Sequence, residues 1–346
     1  MTTISIALAT FNGQRFLGDQ LASLAEQEVL PNELVVTDDG STDYTMAALR
    51  AFARSAPFPV RIFQNEVRLG HRANFVKAAA ECNGDLIAFC DQDDVWCRQK
   101  LRLMREVFAE PEVLLAFHNS RLIDETGIGA GTIYPRRRRG RIYGRLATPP
   151  WEIIVGHGQV MRQSLRRLDG LHPESIDPFV RNAIATHDYW YPFWASALGK
   201  IAYVPEILVD YRQHGGNASG WPYASWAGYL LDHIANAESY AIGNISGAVN
   251  RLHLLARSAD LLKSTELQHV HAAKRAYEVL LQRYVQRLGI YRERRIKDRL
   301  RNLCALLKEG AYSSKYHRGF GFDTLLLDTF IGVLGPPLGR VKPSAK

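Results

Sequence analysis

Residues 4–43, ISIALATFNGQRFLGDQLASLAEQEVLPNELVVTDDGSTD, contain two short apolar runs, ISIALAT and ELVVTD, each ending in Asn, Asp, Gly, Ser and Thr. Between them, RFLGDQLASLAEQ carries apolar side chains at helical spacing. Strand, turn, helix, strand, turn is the unit of a parallel sheet, because a parallel neighbour is reached only through a crossover. The pattern continues outward: TDYTMAALRAFARS reads as a second helix, and VRIFQN and LIAFCD as two further strands. Over roughly residues 1–115 this alternation predicts an α/β fold, a Rossmann-like, mostly parallel sheet flanked by helices. Its ligand crevice is expected at the C-terminal ends of the strands.

The polar residues gather there. FCDQDDVW (89–96) sets Asp91, Asp93 and Asp94 directly after an apolar run. Carboxylates one residue apart at a strand end can chelate Mg²⁺ or Mn²⁺, hard cations that take their other ligands from water and phosphate oxygens. A cation so held would neutralise a diphosphate leaving group. The competing reading is an acidic N-terminus for a following helix, WCRQKLRLMREVF, although capping rarely calls for three carboxylates. TFNG (10–13) and TDDGSTD (37–43) follow the first two strands and would meet at one edge of the crevice. There Phe11 offers a ring face to a nucleobase, and Asp39 an acceptor for the imide N–H of uracil or thymine. Taken singly, both stretches are ordinary turn sequences.

Residues 116–221 are more mixed, with a basic loop YPRRRRGR (134–141), the stretch WEIIVGHGQVM (151–161), HDYWYPFWA and a strand-like KIAYVPEILVDYRQH. They read as the acceptor half of one domain, 1–221, whose nucleotide-binding half is 1–115. From 222 to 346 a helical C-terminal region is expected, since Val270, Ala273, Tyr277, Leu280, Tyr284 and Leu288 recur at helical spacing. His157, between two glycines, lines either the acceptor site or a loop, and His269 and His271 point apart on a helix and receive no role.

The 346 residues are 47% hydrophobic and 23% charged, globular values, with a formal net charge of +8 that favours anionic partners. RRRRGR has no nucleic-acid-binding signature beside it, so no nucleic-acid partner is expected. Together with FDTLLLDTFIGVLGPPLGR (322–340), apolar but too short and broken to span a bilayer, it suits peripheral contact with an anionic membrane. A solvated charge run and a packed helix are the other reading. With no basic leader and no long apolar window, the chain reads as cytoplasmic, at most peripheral at the inner face of the membrane. Cys82, Cys90, Cys97 and Cys304 lack CxxC spacing and read as reduced, packed thiols.

ISIALATFNG, VVTDDGSTD, NEVRLGHRANFVKAA and GDLIAFCDQDDVWCRQKL together resemble the successive blocks of family 2 glycosyltransferases with the GT-A fold. The DQDD-V-W form resembles their rhamnosyltransferase-like branch, and the likeness spans about residues 3–220. It implies inverting transfer of a sugar from a nucleotide diphosphate donor, dTDP-rhamnose or a UDP-sugar. The implied acceptor is a hydroxyl of a lipid-linked or polysaccharide glycan in bacterial surface-glycan (O-antigen) synthesis.

Carried over by position, the resemblance puts Thr10, Phe11 and Asn12 with Asp39 around base and ribose, and Gly70, Arg72 and Asn74 near the donor. Asp91 and Asp93 match the metal motif, Asp94 is an extra acid, Gln92 fills the variable position on the donor side, and His214 matches a third metal ligand of some members. Asp188 in HDYW becomes the catalytic base. Its aromatic flanks, Tyr189 to Trp194, suit a carboxylate that takes a hydroxyl proton, while a helix N-cap is the alternative. Two other functions compete. A nucleotidyltransferase would want a Gly-rich basic loop where this chain has TFNGQRF, and a non-catalytic polyanion binder leaves the clustered carboxylates unexplained.

Overall fold

The computed structural model describes residues 2–135, 139–152, 154–180, 182–216, 226–313 and 320–335. Arg136, Arg137 and Arg138 of the basic loop, and residues 336–340 of the apolar C-terminal stretch, lie outside the described residues. The chain divides into two compact units. The first comprises 1–145, 153–172 and 185–222, and the second 146–152, 173–184 and 223–346.

The first unit opens with β1 (Ile4–Thr10), α1 (Leu17–Ala25), β2 (Glu33–Asp38), α2 (Thr45–Ser55), β3 (Val60–Gln64), α3 (Gly70–Glu81) and β4 (Leu86–Cys90). Every residue of β1, β2 and β4 is buried, as expected of central strands covered on both faces, which explains their unbroken apolar runs. The chain continues through β5 (Val95–Trp96), α4 (Lys100–Val107), β6 (Val113–Ile123), β7 (Gly129–Thr132) and β8 (Arg141–Tyr143). It finishes with β9 (Gln159–Arg162), α5 (His187–Leu198) and β10 (Lys200–Arg212).

The strands order as β3-β2-β1-β4-β9-β6-β10-β5, with β7 paired to β6 and β8 to β10. Strands β1 to β4 are mutually parallel where they pair, and β6 is parallel to β10. Strand β9 runs antiparallel between β4 and β6, with Ala88 opposite Val160 and Phe117 opposite Gln159. That reversal positions the site: the residues just before β9 lie beside the C-terminal end of β4 and the middle of β6.

The second unit contains α6 (Trp226–Arg257), α7 (Ser264–Arg292), α8 (Ile296–Lys308), α9 (Phe322–Leu327) and a π-helical continuation over Asp328–Val333. The apolar positions Val270, Ala273, Tyr277, Leu280 and Tyr284 are buried along α7. A fully buried Asp328 accepts from Arg287 Nε at 2.8 Å and from the hydroxyls of Tyr291 and Tyr312 at 2.5 and 2.7 Å. The desolvated carboxylate is thus paired and hydrogen-bonded, the condition under which a buried charge is tolerated. Among the described residues no helix is long and apolar enough to cross a membrane. Cys82 and Cys90 are buried thiols and Cys97 is half-buried, whereas Cys304 is exposed on α8, so the expectation of packing fails for that residue.

Candidate active site

The loops after β1, β2 and β4 lock together. Thr10 Oγ1 donates to Asp38 Oδ2 at 2.8 Å, and Asp38, fully buried, also accepts from Ser41 N at 2.8 Å. Asn12 sits at φ 47°, in the left-handed region that Asn tolerates better than most residues, and its Oδ1 accepts from Thr42 N at 2.9 Å. Gln92 clasps the neighbouring residue: its Oε1 accepts from Phe11 N at 2.9 Å and its Nε2 donates to Phe11 O at 3.1 Å. The ring of Phe11 carries the Arg68 guanidinium 3.8 Å from its centroid, so its face already receives a flat π system.

Asp39 is engaged by its own fold. Its Oδ1 accepts from Leu69 N at 2.7 Å and Asn65 Nδ2 at 2.9 Å, and its Oδ2 accepts from Gly70 N at 2.8 Å. Gly70 at φ 78° allows two consecutive amides to converge on the carboxylate. Asn74 is buried and works from beneath, donating to Thr37 O and accepting from Asn65 Nδ2, both at 2.9 Å. Its side chain holds this loop in place. Arg72 is half-buried on α3, a helix beginning at Gly70 that the strand pattern alone did not reveal.

The carboxylates of residues 91–94 separate into two groupings. Asp91 and Asp94 come together with His157, a residue that the sequence left between a loop and the acceptor site. His157 Nδ1 stands 3.7 Å from both Asp91 Oδ2 and Asp94 Oδ2, while its Nε2 is 2.9 Å from Ser120 Oγ. Asp93 turns elsewhere, and His214 Nε2 lies 2.7 Å from its Oδ2. His157 reaches the acidic residues because the turn Gly156–Gly158 precedes the reversed strand β9. Pattern reading could not place it, since an antiparallel insertion leaves no mark in local periodicity.

Electrostatics set the groupings apart. Burial, reinforced by Asp93 and Asp91, pushes the Asp94 carboxyl well above the usual carboxylate range. Burial and the nearby Asp91 push Asp93 up to about 6. Burial also raises Asp91, but His157 outweighs it and holds Asp91 below its ordinary value. The His157 ring is depressed by burial and therefore neutral at pH 7. Lys100, fully buried beneath the cluster, donates to His157 O at 2.6 Å and is pushed down to about 7 by burial.

These residues fit a divalent cation. Asp94 is fully buried; its Oδ1 accepts from Arg212 N at 3.0 Å, but its Oδ2 has no hydrogen-bond partner. In the tautomer that gives Nε2–H to Ser120, the Nδ1 lone pair of His157 faces that orphaned oxygen and Asp91 Oδ2. Three electron-rich atoms converge at spacings too long for hydrogen bonds, an arrangement that a cation would complete.

Asp188 lies in the first turn of α5, with Thr186 rather than Asp188 at the N-cap position. Its Oδ1 is 3.2 Å from His187 Nε2, and burial pushes that imidazole down to about 3, so it is neutral. Phe75 and Phe89 pack against the His187 ring at centroid distances of 4.1 and 4.8 Å. Gly156 makes this close approach feasible, because a Cβ there would come within 2.6 Å of Asp188 Oδ1. One peptide unit, from Gly156 to His157, therefore connects the surroundings of Asp188 to those of Asp91 and Asp94.

Comparison with known proteins gives the same fold. An uncharacterised glycosyltransferase of Nostoc sp. is 32% identical over 219 residues, 62% of this chain and 66% of the relative. A dTDP-rhamnosyl transferase of Shigella flexneri is 32% identical over 99 residues, 28% of this chain and 34% of that protein. The chain spans 59 to 66% of the length of the first curated relatives it matches. The crystal structure of S. aureus TarS 1-349 in complex with UDP-GlcNAc superposes with a TM-score of 0.53 at 16% identity, covering 90% of this chain and 93% of that one. The model of glycosyl transferase family 2 matches residues 5–168, a span holding β1 to β4, the acidic cluster and His157. Over residues 5–168 the chain is thus similar to glycosyl transferase family 2, and its architecture is that of GT-A glycosyltransferases.

Proposed function

We propose that the protein transfers a sugar from a nucleoside diphosphate donor to an acceptor hydroxyl with inversion at the anomeric carbon. The observation that carries this reading is the buried Asp94 Oδ2, which has no hydrogen-bond partner and converges with half-buried Asp91 and buried His157 at the end of the sheet where the Phe11 loop is clasped by Gln92. In the proposed complex the base stacks on Phe11, displacing Arg68, while the loop held by Asp39 and Asn74 forms the pocket wall.

Asp91, Asp94 and His157 would hold Mg²⁺ or Mn²⁺, with Asp93 and His214 beside them as a second carboxylate and imidazole. Bound there, the ion would supply Lewis-acid neutralisation of the departing diphosphate. The imidazole in this set favours Mn²⁺, since nitrogen donors suit it better than Mg²⁺. Asp188 acts as the general base that takes the acceptor hydroxyl proton as the new glycosidic bond forms. Neutral His187 lies 3.2 Å from that carboxylate and contributes no competing charge.

The match to a dTDP-rhamnosyl transferase supports rhamnose as the sugar, and the likeness to a UDP-GlcNAc complex supports a UDP-sugar. The acceptor is a lipid-linked or polysaccharide glycan at the cytoplasmic face of a bacterial membrane. A donor screen that follows release of free nucleoside diphosphate tests the proposal. Release from dTDP-rhamnose or one UDP-sugar, dependent on an added glycan acceptor and on Mn²⁺, is the expected outcome. Pyrophosphate production from a sugar phosphate and a nucleoside triphosphate would show a nucleotidyltransferase instead.

A further inference from the structure

The second unit presents a stripe of bare apolar side chains. Phe322, Leu326, Phe330 and Leu334 follow one another at intervals of four residues and are 68, 43, 61 and 63% exposed. In an α-helix every fourth residue drifts around the axis, but here α9 gives way to π turns, shown by Leu334 N donating to Thr329 O. The wider turn reverses the drift, so the four side chains remain on one line. A second row lies on α8, which packs against the π segment: Ile296, Leu300 and Leu307 are also exposed and share one helical face. Arg299 binds the two elements, donating to Gly332 O at 3.0 Å.

The rows have a mainly basic border on α8. Arg295 and Lys297 flank Ile296, Arg301 follows Leu300 with its guanidinium paired to Asp298 at 2.7 Å, and Lys308 follows Leu307, while the exposed acids beside the rows are Asp323 and Glu309. A second copy of this chain fits such a surface poorly, because a two-fold contact would set the same cationic border against itself. A bilayer carrying anionic headgroups satisfies both features: the rings and leucines enter the headgroup boundary while long basic side chains reach up to phosphates.

We propose that the exposed face of α8, α9 and the π segment is a docking surface for an anionic phospholipid membrane. It stands on the second unit alone, whatever sugar or acceptor the first unit handles.

The test is flotation of the full chain with vesicles of phosphatidylcholine alone or mixed with phosphatidylglycerol, with no donor or acceptor present. Binding to the anionic vesicles should exceed that to neutral ones by about tenfold at low salt and decline as salt rises. Phe322→Ser combined with Phe330→Ser should lower it by about tenfold or more. Leu326→Ser combined with Leu334→Ser provides an independent pair should the first fail to fold, and Val249→Ser on α6, exposed but outside both rows, should bind as the parent does. Equal binding by the substituted and parent chains, or no binding to anionic vesicles, overturns the proposal. So does a vesicle-free dimer that the phenylalanine pair dissolves, which would make the face a contact between copies.

Discussion

The amide of Gln92 grips both peptide groups of Phe11, accepting from its N–H at 2.9 Å and donating to its carbonyl at 3.1 Å. The end of β4 thereby fixes the aromatic residue at the end of β1. Replacing Gln92 with Ala should cost about 1–2 kcal/mol of stability, since two bonds to half-buried backbone groups are lost. It should also weaken nucleotide binding several-fold. Thermal unfolding and calorimetric titration of UDP and dTDP check the two effects separately.

Gly156, in the turn that carries His157, approaches α5 closely. A Cβ there would lie 1.9 Å from His187 Nε2 and 2.6 Å from Asp188 Oδ1, and His187 is wedged against Phe75 and Phe89. Gly156→Ala should therefore lower stability by about 1–3 kcal/mol and turnover by about a hundredfold through displacement of Asp188. A variant with unchanged kcat would show that the two regions are not mechanically linked.

Asp188→Asn removes the proposed base while keeping the volume of the side chain. Turnover should fall by about 10²–10⁴-fold, with nucleotide affinity nearly unaltered. Nucleoside diphosphate release and equilibrium binding, measured on the same preparation, decide it. Equal loss of both would assign Asp188 to donor binding.

Asp93 should make the metal-free protein sensitive to pH. Its carboxyl is raised to about 6, so between pH 4 and pH 6 the folded chain keeps a proton that the unfolded chain has released. Stability from this group is present below the unfolded value, near 4, and is lost as pH rises through about 6, an effect of about 2–3 kcal/mol. Asp93→Asn should cancel the loss, so its stability advantage over the parent should grow from pH 4 to pH 7 in denaturant titrations with chelator present. An advantage independent of pH would contradict the assignment.

The parallel half of the fold was legible because β1, β2 and β4 are buried on both faces and interrupted by helical spacing. The meeting of the loops after β1 and β2 was legible for the same reason, since strand order brings their ends together. Three features were not. Helix α3 has little amphipathic contrast to betray it, because Asn74 is buried among alanines. His157 depends on the reversed strand β9, a pairing of residues about seventy positions apart in Ala88 and Val160. Lys100, within the helix WCRQKLRLMREVF, is fully buried, its amine over the Trp96 ring and bonded to the His157 carbonyl, and nothing in the local spacing marks it.

The central claim is that Asp91, Asp94 and His157 share a divalent cation that binds the donor diphosphate. Its most direct test is Mn²⁺ electron paramagnetic resonance titration with and without UDP or dTDP, on the parent chain and on His157→Ala and Asp94→Asn. The account predicts one Mn²⁺ per chain, bound more tightly in the presence of the nucleotide, with affinity reduced about tenfold or more in either variant. Full-strength nucleotide binding in EDTA, or Mn²⁺ affinity unchanged by both substitutions, would contradict it.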